Sequence, residues 1–158
     1  MSSKLRISAG LLMYRRRGGA LEVFLAHPGG PLFVRKDEGH WSIPKGEIGA
    51  GEELLAAAIR EFQEEVGIEP KGPYLGLGAV VQKGGKRVHA WAFEGDWDPA
   101  QPLQSIPFRL EWPPRSGRFQ QYPEMDRAEF FSTKEARRKL KAAQIEFLDR
   151  LIAKLETG

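Results

Sequence analysis

The 158-residue sequence contains no cysteine. Without cysteine there is neither a disulfide framework nor thiolate chemistry, and we expect a reducing, cytoplasmic environment. No apolar run is long enough to cross a bilayer, and the first ten residues lack the apolar core of a signal peptide. We therefore expect a protein that does not associate with a membrane and does not depend on cysteine for stability or catalysis.

Neither sign of charge dominates the chain. Its 24 basic and 21 acidic residues leave a net charge of +3, and basic residues gather at 15–17 and 137–141. We interpret both clusters as solvated surface, so nucleic acid is not an expected partner. Hydrophobic residues make up 41% and charged residues 28% of the chain, which is typical of a globular domain. We predict one domain over residues 1–158.

The spacing of apolar residues predicts strands, then a helix, then further strands and a closing helix. Strands are predicted over 4–15, 21–27, 75–82, 87–95 and 128–132, and helices over about 52–66 and 133–156. A loop containing one short strand is predicted over 39–48, and the proline-rich residues 98–124 are predicted as a loop. This order indicates an α/β domain with a mixed sheet between helices.

Three glutamates, Glu61, Glu64 and Glu65, lie on two turns of the first predicted helix. At about 100° per residue they fall within an arc of about 100° beside the apolar stripe, with Glu65 nearest the buried side and Glu64 farthest from it. Like charges at this spacing repel, and the C-terminal end of a helix also disfavours negative charge. Two interpretations stay open, a solvated acidic face or a site for a divalent cation, which takes carboxylate and phosphate oxygens together.

The residues around these glutamates form a longer pattern over 46–68. Its fixed positions are Gly46, Glu52, Arg60, Glu61, Phe62, Glu64, Glu65, Gly67 and Ile68. The pattern resembles the signature of the Nudix hydrolase family, G-x5-E-x7-R-E-U-x-E-E-x-G-U, in which U is an apolar residue. The resemblance implies a Nudix-type α/β/α sandwich with a mixed β-sheet.

The resemblance also implies a metal-dependent hydrolase, using Mg²⁺ or Mn²⁺, that acts on a nucleoside diphosphate linked to another group. The metal ligands that it implies are Gly46 (through its main-chain carbonyl), Glu61, Glu64 and Glu65. It further implies that Arg60 orients the acidic residues and that Glu52 supports the loop. A metal at such a site neutralises phosphate charge and acidifies the attacking water.

A carboxylate must accept the proton of that water. We predict Glu64 as this general base because it lies farthest from the apolar stripe, with Glu61 as the second choice. Some family members use a glutamate from a distant loop, and Glu124 and Glu111 in the proline-rich segment are further candidates.

The segment GHWSIPKGEI at 39–48 is similar to the one that precedes the signature in dinucleoside polyphosphate hydrolases and diphosphoinositol phosphate hydrolases. We predict that Lys45, together with Arg35 and Lys36, contacts phosphate; solvated lysine and arginine side chains are the alternative. Tyr122 resembles an aromatic residue that stacks on adenine, with plain packing as the alternative. The predicted substrate is a dinucleoside polyphosphate such as diadenosine tetraphosphate, or a nucleoside triphosphate.

Two other functions stay open. One is a Nudix-fold sensor that binds a nucleotide without cleaving it, although such sensors typically have degraded signatures. The other is a diphosphoinositol polyphosphate or capped-RNA hydrolase, which would require the basic residues at 15–17 to line the site.

Overall fold

The computed structural model of the protein describes residues 6–98 and 100–157. Strands alternate with helices along the chain, in the order that the sequence predicts. The elements are β1 (Ile7–Arg17), β2 (Ala20–Pro28), β3 (Lys45–Glu47), α1 (Leu54–Val66), β4 (Leu75–Val81), β5 (Arg87–Glu94), β6 (Pro107–Glu111), β7 (Phe119–Pro123), β8 (Met125–Ser132), α2 (Thr133–Lys139), a 3₁₀ turn (Ala142–Gln144) and α3 (Ile145–Thr157).

The central sheet is mixed and has the strand order β4-β5-β1-β2-β8. β1 runs parallel to β5 and antiparallel to β2. Because β1 is 11 residues long, its first part also pairs with the short strand β3, with Ala9 opposite Gly46. This pairing places the loop before α1 directly against the middle of the sheet.

Side chains alternate between the two faces of the sheet, and each face is covered by a helix layer. On one face, Leu11 and Phe24 pack with Phe62 of α1. On the other face, Leu12 and residues of the same parity pack with α2 and α3, where Leu148 is fully buried. The α/β/α sandwich with a mixed sheet is therefore confirmed. Burial of each large apolar side chain contributes about 1.5–3 kcal/mol to stability.

Helix α1 ends where the sequence predicts. Gly67 has a left-handed backbone conformation with φ of 74°, and its N–H donates to the carbonyl of Gln63. A residue with a side chain is strained at this φ, which is why glycine is favoured after the last helical turn. The two longest helices, α1 and α3, have 13 residues each, and none of the helices in the described residues could span a membrane.

The prediction of one continuous closing helix is wrong. The helix is interrupted at Leu140, whose backbone is extended and whose side chain is 2% exposed. The N–H of Trp41 donates to Lys139, and the N–H of Lys141 donates to Trp41. This strand-like pairing with Trp41 replaces helical hydrogen bonds, so apolar periodicity alone did not reveal the break.

The prediction of an irregular loop over 98–124 is also wrong in part. Strands β6 and β7 form a separate antiparallel hairpin, with Phe108 opposite Tyr122. Cross-strand contacts between aromatic side chains stabilise such a hairpin. The hairpin does not join the central sheet, and it stands beside the C-terminal part of α1, where Ile106 donates its N–H to the carbonyl of Glu64.

Candidate active site

The loop before α1 brings main chain and carboxylate together at Gly46. This residue lies on β3, and the carboxylate of Glu61 packs directly over its α-carbon. A Cβ atom at position 46 would overlap both oxygens of that carboxylate. The glycine is therefore required by the close approach of Glu61, and the main chain of β3 forms one wall of the acidic site.

The three glutamates of α1 differ in exposure in the predicted order. Glu65 is buried, with 8% of the residue exposed. The side chain of Glu61 is 14% exposed and that of Glu64 is 39% exposed. Glu65 also accepts a hydrogen bond of 3.1 Å from the main-chain N–H of Lys45. Glu64 is thus the most accessible carboxylate of the three.

Arg60 connects the helix to the loop. Its Nη1 donates to Glu61 Oε1 at 2.8 Å and to Glu64 Oε2 at 3.1 Å. Its Nε and Nη2 donate to the two carboxylate oxygens of Glu52, at 2.8 and 2.9 Å. Glu52 in turn accepts from the N–H of Gly49 at 2.8 Å. One guanidinium therefore orients three carboxylates and fixes the loop.

These contacts and the burial of the site shift several ionisation equilibria. Hydrogen bonds from Arg60 and Gly49 lower the pKa of Glu52 to about 2. Burial raises the pKa of Glu61, and the negative charges of Glu64 and Glu124 raise it further, whereas Arg60 opposes the shift. Burial is therefore the main cause of the raised pKa of Glu61, and the neighbouring carboxylates add to it.

Glu65 and Lys45 lie close together, and burial partly removes both charged groups from water. Burial raises the pKa of Glu65, and the N–H and charge of Lys45 oppose that shift. Burial also lowers the pKa of Lys45, as do the positive charges of Lys86 and Lys141. Both effects follow from removing a charged group from water.

The acidic residues open into a cleft of about 420 Å³. The cleft is lined by Pro28, Lys45, Gly46, Glu47, Glu61, Glu64, Glu65, Lys86, Ile106, Glu124 and Met125. A larger cavity of about 580 Å³ lies at the C-terminal end of α1, next to Gly67 and Trp97, and contains none of the glutamates of the signature. We assign the site to the smaller cleft because Glu61, Glu64 and Glu65 of the signature line it.

The structure distinguishes Glu124 from Glu111, the two candidate bases in the proline-rich segment that the sequence could not rank. Glu124 lines the cleft, and its main chain is fixed on both sides: its N–H donates to Ile106 and its carbonyl accepts from Gly29. Glu111 instead accepts hydrogen bonds from the N–H groups of Arg115 and Gly117 in the β6–β7 turn. Glu124 is therefore near the acidic residues, and Glu111 stabilises a turn.

The predicted phosphate-binding residues do not all reach the cleft. Lys45 lines it. Arg35 and Lys36 are exposed on the loop between β2 and β3 and are not among its lining residues. The carbonyl of Lys36 bonds to Nε2 of the buried His27 at 2.6 Å, which fixes the base of this loop.

Tyr122 lies on the hairpin next to the cleft rather than in it. Its ring is tilted against Phe108 with ring centroids 6.2 Å apart. Phe108 also approaches Gly30, where an added Cβ would lie 3.1 Å from its ring. Two aromatic rings therefore stand close to the chain that follows Pro28, a residue of the cleft wall.

Sequence reasoning missed Lys86 and Ile106, which both line the cleft. Lys86 ends the β4–β5 turn, and Ile106 precedes β6. Neither belongs to the signature segment. The turn sequence Lys83-Gly84-Gly85-Lys86 located a hairpin but carried no signal of where its lysines would lie.

The basic residues at 15–17 are remote from the cleft. Arg15 forms ion pairs with Glu22 at 2.8 Å and Asp96 at 2.6 Å, and its guanidinium stacks on Phe130 at 3.8 Å. Arg16 lines a separate cavity near the end of α3. The condition that the sequence set for a diphosphoinositol or capped-RNA substrate is therefore not met.

The residues fit a divalent cation in chemistry, although the carboxylates do not converge on one point. Within 6–98 and 100–157, no three histidine, cysteine, aspartate or glutamate residues are arranged as a metal-binding group. Arg60 holds Glu61 and Glu64, and the N–H of Lys45 holds Glu65. The atoms that these glutamates and the main chain of Gly46 offer to a metal are all oxygens, which suits a hard cation. The carboxylate of Glu61 packs directly against the main chain of Gly46.

Many solved structures share this fold, and two of them show the extent of the likeness. An Ap4A hydrolase from Caenorhabditis elegans, solved as a binary complex, superposes with a TM-score of 0.65 at 23% identity, covering 98% of this chain and 100% of that chain. The NUDIX domain of Shewanella oneidensis NrtR, complexed with ADP ribose, has a TM-score of 0.68 at 12% identity, covering 98% and 90%. At these identities, the likeness is evidence for the fold.

Sequence comparison gives a relative and a family. The asymmetrical bis(5'-nucleosyl)-tetraphosphatase of C. elegans is 39% identical over 61 residues, which is 39% of this chain and 40% of that protein. The chain thus aligns with less than half the length of this curated relative. The NUDIX domain model matches residues 4–151, nearly the whole chain, and the protein therefore belongs to the Nudix family.

Proposed function

We propose that the protein, acting as one domain, is a metal-dependent pyrophosphohydrolase that cleaves a phosphoanhydride bond in a nucleoside diphosphate linked to another group. A dinucleoside polyphosphate such as diadenosine tetraphosphate is the proposed substrate, with a nucleoside triphosphate as the second choice. The observation that carries this proposal is the single cleft in which Glu61, Glu64 and Glu65 face Lys45. The name of the C. elegans relative supports the choice of substrate.

Glu61, Glu64, Glu65 and the carbonyl of Gly46 are the proposed ligands of Mg²⁺ or Mn²⁺. When bound, the cation supplies charge neutralisation of the phosphates and acidification of water. Arg60 keeps Glu61 and Glu64 oriented, because one of its nitrogens bonds to both. Glu52 keeps Arg60 in place through two hydrogen bonds and supports the loop through Gly49.

Glu64 is the proposed general base. Its side chain is the most exposed of the three, so it can accept a proton from water in the cleft without leaving the helix surface. Glu61 is second because its side chain is less exposed, at 14%. Glu124 is a third candidate, since it reaches the same cleft from the β7–β8 connection.

The proposed substrate contacts follow from position. Lys45 donates to a phosphate inside the cleft. Tyr122, supported by Phe108, offers a ring on which a base of the substrate can stack. Arg35 and Lys36 lie outside the cleft and would contact only the part of a long substrate that leaves it.

A nucleotide-binding protein without turnover is the second candidate. The observation that favours it is that, within the described residues, no three acidic groups are arranged as a metal site. The fold neighbour from S. oneidensis was solved with ADP ribose bound. This candidate predicts tight nucleotide binding with no product.

The test is a panel assay in Mg²⁺ and in Mn²⁺, with products identified by chromatography. The panel contains diadenosine tetraphosphate, nucleoside triphosphates, ADP-ribose and a diphosphoinositol phosphate. We expect cleavage of diadenosine tetraphosphate well above the rest. Binding without cleavage of any compound would favour the sensor, and preferential cleavage of the inositol compound would replace the proposed substrate.

The substitution Glu64→Gln tests the base. We expect turnover to fall by about 100-fold or more, because removing a general base removes its contribution to the rate. The matched control is Glu53→Gln, which makes the same change at an exposed residue that forms no side-chain cap at the start of α1. Equal turnover of the two variants would eliminate Glu64 as the base.

A further inference from the structure

His27, at the end of β2, is a buried titratable residue that the proposed reaction does not use. Its side chain is 0% exposed, with Nδ1 2.7 Å from Oδ1 of Asp126 and Nε2 2.6 Å from the carbonyl oxygen of Lys36. A carbonyl oxygen can only accept, so Nε2 donates to Lys36, and the bond at Nδ1 needs a second hydrogen between the ring and the carboxyl group of Asp126. His27 therefore bridges β8 and the loop between β2 and β3.

Asp126, the partner of His27 in β8, is the extra residue of a β-bulge. His27 lies opposite Arg127 and Pro28 lies opposite Met125, so two residues of β8 occupy a place that one residue fills in a regular ladder. Such bulges bend a strand and redirect its side chains, and they are frequent next to active sites. This bulge lies beside the cleft, because Pro28 and Met125 both line it.

The bulge reverses the direction of the side chains that precede it. Met125 and Ala128 are three residues apart, and in a regular strand they would point to opposite faces of the sheet. Both instead pack in the same apolar cluster as Phe24 and Phe62, with 9% and 7% of the two residues exposed. Without the extra residue, Met125 would leave that cluster, and Glu124 beside it would change direction as well.

A second contact fixes the chain on the other side of the bulge. The N–H of Gly29 donates to the carbonyl of Glu124 at 2.8 Å. The two segments are so close here that a Cβ atom on Gly29 would overlap the carbonyl oxygen of Pro123. The bond between His27 and Asp126 and the bond between Gly29 and Glu124 therefore connect β2 and β8 on both sides of the bulge.

The side chain that this arrangement directs is that of Glu124, which lines the cleft. Burial raises the pKa of Glu61 and of Glu65, and the negative charge of Glu124 raises both further. The carboxylate of Glu124 therefore lies close to two of the proposed metal ligands. Because like charges repel, Glu124 stays there only if its main chain is anchored.

We propose that His27 is a positioning residue for the reaction: its bond to Asp126 holds the β-bulge that directs Glu124 towards Glu61 and Glu65. The proposal rests on the proposed function, because it assigns His27 a role in that reaction. His27 is buried and is not among the residues that line the cleft, so it acts through Glu124 rather than on the substrate or the cation itself.

The first experiment compares two amide substitutions at His27 in the turnover of diadenosine tetraphosphate. Asparagine places its amide where Nδ1 is now and can still donate to Asp126, whereas glutamine places its amide where Nε2 is now and can donate only to Lys36. We expect His27→Gln to lower kcat by about 100-fold with little change in KM, the usual effect of misplacing a reacting group by about 1 Å, and His27→Asn to retain most of the activity. The control His89→Gln makes the same change on β5, at a histidine that is not among the cleft residues, and should have normal kcat. Equal losses in the two His27 variants would indicate packing alone and overturn the proposal.

Two further variants test whether His27 acts through Glu124. Asp126→Ala breaks the same bond from the other side, at a side chain that is 26% exposed, and should lower kcat as His27→Gln does. The double variant His27→Gln/Glu124→Gln should be no slower than Glu124→Gln alone, because a residue that acts through Glu124 then has nothing to position. Losses that multiply in the double variant, or normal kcat in Glu124→Gln, would overturn the proposal.

The second experiment requires no turnover and measures hydrogen exchange of the Gly29 N–H by NMR. We expect exchange about tenfold faster in His27→Gln than in His27→Asn, because Gly29 loses its bond to Glu124 when the bulge is released. Equal exchange in the two variants would overturn the role of His27 even if diadenosine tetraphosphate is cleaved. Faster exchange in His27→Gln, in a protein that cleaves no nucleotide, would uphold the connection between His27 and the bulge and overturn the proposed hydrolase function.

Discussion

Replacement of Gly46 by alanine would place a methyl group where the carboxylate of Glu61 now lies. The added Cβ would be too close to both oxygens of that carboxylate, so Glu61 has to move. Gly46 is not among the glycines with positive φ, and an alanine backbone is unstrained there. The perturbation therefore acts on the position of one carboxylate and on little else.

The expected loss of stability and of rate follows from the contacts of Glu61. Displacement stretches its 2.8 Å bond to Arg60, and overpacking of this kind costs about 1–3 kcal/mol of folding stability. For a chain of this size, each kcal/mol lowers Tm by about 2–4 °C. Catalysis is more sensitive, since misplacing a catalytic group by about 1 Å costs about 100-fold in rate.

The assay is turnover of diadenosine tetraphosphate as a function of Mg²⁺ concentration, together with Tm. We expect Gly46→Ala to lose about 100-fold in rate and to need more Mg²⁺. Adding Glu61→Asp should recover Tm, because the shorter side chain leaves room for the methyl group. Gly76→Ala is the control, since its Cβ would make only ordinary contact with Trp91 at 3.8 Å. Normal rate and normal Mg²⁺ dependence of Gly46→Ala would refute the proposed role of this close approach.

Two further predictions concern the surroundings of the acidic residues. The pKa of Glu52 is lowered to about 2 from 4.5, so its ion pair stabilises the fold above pH 4.5 and this contribution disappears as the pH falls towards 2. Chemical unfolding of Glu52→Gln should therefore show lower stability than the unsubstituted protein at pH 6 and a smaller difference at pH 3; a difference independent of pH would contradict the assignment. Tyr122→Ala should raise KM for adenine-containing substrates by about tenfold if the ring stacks on the base. The control Phe119→Ala removes an exposed ring from the same strand, and an equal KM change in both variants would indicate a general effect of the hairpin.

The amino-acid pattern predicted the features of the fold that depend on residues near one another in the sequence. The order of burial of Glu61, Glu64 and Glu65 follows from the helical angle alone. The end of α1 at Gly67 follows from the conformation that glycine permits. The break at Leu140 was not predictable in this way, because it depends on pairing with Trp41, which is far away in sequence.

In the candidate site, too, residues close in sequence could be predicted and contacts between distant segments could not. The acidic wall comes from one continuous segment, 46–68, and its residue pattern could be identified directly. The opposite side of the cleft contains Lys45 of β3 and Lys86 after the β4–β5 turn, which only the folded chain brings together. Nothing in the sequence around Gln144 indicates that its amide bonds to both Ile43 and Gln82.

The two walls of the cleft have opposite and separately unbalanced charges. On the acidic wall, Glu61 and Glu64 share one guanidinium with Glu52, and repulsion by Glu124 raises the pKa of Glu61 further. On the opposite wall, the positive charges of Lys86 and Lys141 act on Lys45, together with the negative charges of Glu65 and Glu61. A free cation would balance only the first wall, and a free phosphate chain only the second. The ligand that balances both walls at once is a complex of a divalent cation with a polyphosphate, and the proposed function therefore predicts that cation and polyphosphate each increase the affinity for the other.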